Sequence, residues 1–182
     1  MSPNISIAFE GVPFSGKTTM LKALYQRGDT GYSYVPETIC DVVNDESALL
    51  NDYYKHCAAQ YARQKGYDCF LDRSPLSTWV IDKILTRQVF CADFLSSIDA
   101  IVLFVDCQRR YQLMVNTAFA VSTSPWMKDK NKHAISVLYK KIAEAGYFHH
   151  LPVYTFSSNL LENEDMTRLI QLILTIRNDI NG

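Results

Sequence analysis

The sequence predicts an α/β fold of three layers, α/β/α, around a five-stranded parallel sheet. Two observations carry that prediction. Short β-rich runs alternate with helical patterns from one end of the chain to the other. The polar residues best suited to chemistry also fall directly after those runs, at the strand ends where such sheets take ligands.

The elements follow in order. Ile5 to Phe9 is a β-rich run that stops at a glycine-containing loop. Met20, Leu21, Leu24 and Tyr25 then recur at helical spacing, which predicts a helix over 17–26. Gly28 to Gly31 breaks it, and Tyr32 to Val35 reads as a second strand. A long helix is expected from 46 to about 65, with Gly66 as its C-cap. Tyr67 to Leu71 is a third strand, and Pro75 suits the first turn of a helix reaching about 86. Ala100 to Val105 is almost wholly apolar, as expected of a strand covered on both faces. Helices are expected over 109–119 and 130–145, and 151–156 forms the last strand. Pro152 makes that strand an edge or puts the proline at its start. An amphipathic helix over 166–178 closes the chain.

Composition bounds the function. The 182 residues, with no repeat or linker, fit one domain over 1–182. Hydrophobic residues make up 48% and charged residues 20%, ordinary for a globular protein. A net charge of −1 supplies no global field toward nucleic acid, which argues against a polymer partner. The five cysteines show neither C-x-x-C nor zinc spacing, and their odd number favours a reducing, cytoplasmic setting. No apolar run approaches the ~20 residues needed to cross a bilayer, so no membrane association is expected. The sequence leaves room for a homodimer. His149 and His150, as neighbours, point in different directions and have no partner cluster, so no metal site is expected there.

The stretch Gly11-Val12-Pro13-Phe14-Ser15-Gly16-Lys17-Thr18 fits G-x-x-x-x-G-K-[ST] in full. Such a loop curls so that successive N–H groups converge on a triphosphate, and the next helix adds its positive end. Lys17 reaches the β- and γ-phosphates, Thr18 offers its hydroxyl to Mg2+, and Thr19 completes the cradle. An apolar strand before the loop and an amphipathic helix after it make a chance match untenable, and the fold is of the P-loop NTPase type. Two further strand ends carry chemistry: Pro36-Glu37 after the second, and Asp72-Arg73-Ser74 after the third.

In these three places the chain resembles the P-loop nucleoside and nucleotide kinases, including deoxynucleoside kinases and thymidylate kinase. Ser77 matches a serine that follows the arginine by four residues. The resemblance covers roughly the first 85 residues well. It implies ATP and Mg2+ as cofactors and a nucleoside or nucleoside monophosphate as acceptor, with a deoxypyrimidine preferred. It also implies that Glu37 takes the proton of the acceptor hydroxyl or organises water and Mg2+. Asp72 would sit in the metal shell with Thr18 or share the base role, and Arg73 would neutralise phosphate charge.

The chain departs from the family in the lid expected at about 109–133. Arg109 and Arg110 are candidates by position; beyond them come Lys128, Lys130 and Lys132 but no arginine. Lysine is a point donor without the guanidinium fork, so those lysines form a different lid or a solvated helix start. Tyr54 and Gln60 are candidates for stacking on and pairing with the acceptor base. Three alternatives stand beside the kinase reading. One is a kinase for a modified-base hydroxyl in DNA, and another a P-loop domain that binds nucleotide without turnover. The third is a GTPase switch, against which stands the lack of Asn-Lys-x-Asp and Asp-x-x-Gly.

Overall fold

The computed structural model describes residues 4–12, 15–27, 32–36, 45–105, 129–158 and 162–182. Within them the first strand, β1 (Ser6–Gly11), leads into α1 (Lys17–Gln26), then β2 (Tyr32–Val35) and α2 (Asp45–Gln64). Next come β3 (Asp68–Asp72), α3 (Pro75–Leu85), a 3-10 turn (Ala92–Ser97) and β4 (Ala100–Val105). The remainder is α4 (Asp129–Ala145), β5 (Tyr147–Phe148), β6 (Leu151–Ser157) and α5 (Glu162–Asn181). The helix expected over 109–119 lies outside the described residues.

The sheet runs β2-β3-β1-β4-β6-β5, parallel except for β5. The expected five strands are therefore six. The addition is a two-residue strand that turns through His149 and His150, pairing Phe148 with Leu151 and Tyr147 with Pro152. Two residues are too short to show a period. Pro152 accordingly lies at the start of β6, and β5 is the edge.

Alternation along the strands explains the layers. Ala8, Leu71, Ile101 and Leu103 pack on one face with Leu76, Val80 and Ile81 of α3 and Ile135, Tyr139 and Ile142 of α4. Ile7, Phe9, Phe70, Val102 and Phe104 pack on the other with Met20, Leu21 and Leu24 of α1 and Leu169, Ile173 and Ile176 of α5. Phe9 meets Phe70 edge to face at 5.7 Å, a favoured ring geometry. Cys69 lies in the first of these clusters, on the α3 and α4 face, where burial pushes its thiol up to about 12, as befits an inert hydrophobe. α2 ends as expected: Gly66 takes φ 81, and Tyr67 N–H donates back to Ala62 O at 2.9 Å.

This order brings the carboxyl ends of β3, β1 and β4 side by side, in register at Phe9–Asp72 and Gly11–Phe104. No described helix is long and apolar enough to cross a membrane.

Candidate active site

Everything in the site is built around the turn that leaves β1. Gly11 has φ 146, and a Cβ there would stand 2.8 Å from Phe104 O, so the backbone admits no side chain. Gly16 takes φ 85 as the N-cap of α1 and gives the helix no side-chain cap. No acidic residue sits in the first turn either. An uncapped helix start presents its amide N–H groups and positive end to an anion.

Lys17 and Thr18 open that helix and turn toward β3. Lys17 Nζ lies 3.0 Å from Asp72 Oδ1, and Thr18 Oγ1 donates to Asp72 Oδ2 at 2.6 Å. Tyr34 from β2 donates to the same Oδ2 at 3.2 Å, and Lys55 Nζ from α2 donates to the Asp72 backbone carbonyl at 2.8 Å. Asp72 is fully buried, and its Oδ1 takes no aligned hydrogen bond beyond the Lys17 ion pair. A buried carboxylate oxygen beside a threonine hydroxyl is a hard oxygen donor set, which fits Mg2+. Among the described residues no three His, Cys, Asp or Glu side chains cluster as a metal cage. Mg2+ carried by a nucleotide needs only one or two carboxylates.

Beside this cluster lies a second one. Arg73 holds φ 69, a left-handed backbone that non-glycine residues adopt at a cost of about 1–3 kcal/mol. Its NH1 donates to Gly11 O at 3.2 Å and to Ser77 Oγ at 3.3 Å, and lies 3.9 Å from Glu10 Oε2. Glu10, wholly buried, accepts from Ser74 N and Ser74 Oγ at 2.7 Å each, and from Ser77 Oγ at 2.7 Å. Tyr139 of α4 adds a bond to Glu10 Oε2 at 3.0 Å. Burial, and then the Glu10 charge, raise the Tyr139 phenol well above its usual range, so it stays a donor. Ser74 also caps α3, accepting from Leu76 N at 3.2 Å with Pro75 at the first helical position. The stretch Asp72-Arg73-Ser74 thus sends consecutive side chains to the P-loop, to the β1 turn and to the helix cap.

Of the expected site residues, Gly11, Lys17, Thr18, Asp72 and Arg73 converge here, with Val12, Ser15 and Gly16 in the loop between them. Thr19 is exposed on α1. Pro13, Phe14, Glu37, Arg109, Arg110 and Lys128 lie outside the described residues, and of Lys130 only the helical backbone is described. Tyr54 is 55% exposed and Gln60 is exposed, whereas Asp52 and Lys55 on the same helix are buried. Glu10, Tyr34, Lys55 and Tyr139, which the motifs do not reveal, join these two clusters as further candidate site residues.

A parallel sheet in this order, with a phosphate loop after the central strand and Asp72-Arg73-Ser74 after its neighbour, defines a P-loop nucleotide-kinase fold. No protein-family model matches the chain, and no curated protein does. Solved structures agree with the fold. Thymidylate kinase from Candida albicans superposes with a TM-score of 0.65 at 13% identity, over 99% of this chain and 94% of that one. Deoxyadenosine kinase from M. mycoides with dATP bound gives 0.57 at 11% identity, over 93% and 99%. The same enzyme with dCMP and a flexible dCDP gives 0.56 at 12%, over 94% and 100%.

Proposed function

We propose that this protein is a phosphotransferase that moves the γ-phosphate of ATP to a nucleoside or nucleoside monophosphate, preferably a deoxypyrimidine. The observation that carries the reading is Asp72 joining Lys17 and Thr18 at the uncapped start of α1, with Arg73 one residue away. The structural neighbours named as thymidylate and deoxyadenosine kinases support the same class.

In this reading the N–H groups at the start of α1 hold the β-phosphate, and Lys17 follows the charge onto the γ-phosphate. Thr18 and Asp72 would hold Mg2+, which would offset the negative charge developing on the transferring phosphate. Arg73, fixed by Gly11 O, Ser77 and the charge of Glu10, presents a guanidinium to the transferring or acceptor phosphate. Glu37, following β2, takes the proton from the acceptor hydroxyl. Segment 109–133 acts as the lid, with Arg109, Arg110, Lys128 and Lys130 as its cations. Phosphoryl transfer asks chiefly for positioning and charge neutralisation, and these residues supply both.

The test is a transfer screen of purified protein with ATP and Mg2+ against nucleosides, nucleoside monophosphates and oligonucleotides. Phosphorylation of a nucleoside or its monophosphate is expected. ATP hydrolysis or binding without acceptor phosphorylation would instead indicate a nucleotide-binding switch.

A further inference from the structure

The inward stripe of α2 carries a carboxylate that the clusters above leave unused. Ala48, Asp52, Lys55, Ala59 and Ala62 are its buried residues, at the spacing of one helix face. Lys55 is explained by the Asp72 carbonyl. Asp52 is not. It is 1% exposed and hydrogen-bonds Thr78 of α3, while its Oδ1 has no partner. Burying a carboxylate oxygen without a donor is unfavourable, so a retained one marks a place where a ligand supplies the donor.

Position agrees. α2 starts near the carboxyl end of β2 and runs back toward the start of β3. Lys55 reaches the last residue of β3. Asp52 lies three residues nearer the helix start, about 4.5 Å along the axis, and meets Thr78, the fourth residue of α3, the helix that follows β3. Both stand toward the carboxyl ends of the strands, the side on which parallel sheets receive ligands. The groups facing Asp52 are Lys55 of its own helix, Thr78 and Asp82 of α3, and Glu10 of β1. Burial first, and then Glu10 and Asp82, push its carboxyl up to about 6 against the pull of Thr78 and Lys55.

We infer that Asp52 is a specificity-determining residue of the acceptor site, where Oδ1 accepts from the exocyclic amine of a nucleobase such as cytosine or adenine. The inference rests on the kinase reading above. An ionised carboxylate only accepts, so its partner must donate. An exocyclic amine offers N–H groups at the edge of the base. Thymine and uracil flank their single ring N–H with carbonyl oxygens, which meet the carboxylate with like partial charge. A sugar hydroxyl is the other donor an acceptor carries.

The experiment is steady-state transfer from ATP by wild type, Asp52→Ala and Asp52→Asn, with deoxycytidine, deoxyadenosine, thymidine, 2′,3′-dideoxycytidine and the monophosphates of each. The expected result is a fall of at least about tenfold in the kcat/KM ratio of deoxycytidine over thymidine in both variants, carried by the KM of the amine-bearing acceptor. KM for ATP stays unchanged. Asp52→Asn shifts preference further toward thymidine, because its amide can donate to a carbonyl. Thr78→Val, which removes the hydroxyl that holds the Asp52 carboxylate, moves the same ratio and provides a second route should an Asp52 variant fail to fold. An unchanged ratio in active variants overturns the inference and leaves the kinase reading standing. A loss seen with deoxycytidine but not with dideoxycytidine assigns the contact to the sugar hydroxyl and overturns it as well. Absence of transfer by wild type to any acceptor overturns the kinase reading and this inference with it.

Discussion

Lys17 Nζ stands 3.0 Å from Asp72 Oδ1, with the side chains 5% and 0% exposed. A pair buried that deeply keeps its geometry only when further hydrogen bonds support it, and Thr18 and Tyr34 supply them on Oδ2. Asp72 therefore holds the side chains of both Lys17 and Thr18 in place. In the proposed function, incoming phosphates would share Lys17 with a carboxylate already there. Asp72→Asn keeps the shape and removes the charge. Turnover is expected to fall by about 10²–10³, while affinity for metal-free ATP holds or rises. Fluorescence titration of ATP with and without Mg2+, beside a turnover assay, checks both halves.

Glu10 is the hub of the second cluster. Glu10→Gln removes the charge that lies 3.9 Å from Arg73 NH1 and weakens the hydrogen bonds from Ser74 and Ser77, and is expected to lower stability by about 1–3 kcal/mol. Tyr139→Phe removes one of its hydrogen bonds and should lower stability by about 1 kcal/mol. Denaturant midpoints measure both. If Glu10 positions Arg73, Glu10→Gln also lowers kcat while the Kd for ATP stays near wild type.

Gly11→Ala places a methyl group 2.8 Å from Phe104 O at φ 146, a strained backbone for any L side chain. The clash is with backbone, so no rotamer relieves it. A loss of at least about 2 kcal/mol is expected, with a lower thermal midpoint as the reading.

Asp52 sets a pH dependence of opposite sign to the usual carboxylate. Burial pushes its carboxyl up to about 6, well above the ordinary carboxylate range. The folded state thus binds the proton more tightly, and stability rises as pH falls from about 6 toward 4. Above that window the ionised group costs the fold up to about 3 kcal/mol, at 1.36 kcal/mol per unit. Asp52→Asn should therefore gain stability relative to wild type at pH 8 and lose that advantage near pH 4. Unfolding in denaturant at the two pH values tests it; an advantage independent of pH contradicts it.

Most of this architecture was legible beforehand because its signals are local. The P-loop string, the apolar run 100–105 and the amphipathic spacing of α1 each declare an element within a dozen residues. Asp72, Arg73 and Ser74 stood out because they follow a strand. Glu10 did not, since one acid just before the P-loop pattern reads as a solvent-facing strand position. Only the pairing of β1 between β3 and β4 turns it toward α3 and α4. Asp52 and Lys55 were hidden by their charge: both occupy an inward helix stripe that normally holds apolar residues. Tyr54 and Gln60, chosen by type, lie on the exposed faces of that helix. β5 carried no signal at two residues, and its existence depends on Leu151 and Pro152 across the turn.

The central claim is that Lys17 and Asp72 grip a triphosphate whose terminal group is passed on. Its most direct test follows label from γ-phosphate-labelled ATP into nucleosides and their monophosphates, with wild type and Lys17→Ala side by side. The account predicts labelled acceptor from wild type and none above background from Lys17→Ala, which also loses ATP binding. Equal transfer by both proteins, or no acceptor labelled by wild type, would contradict it.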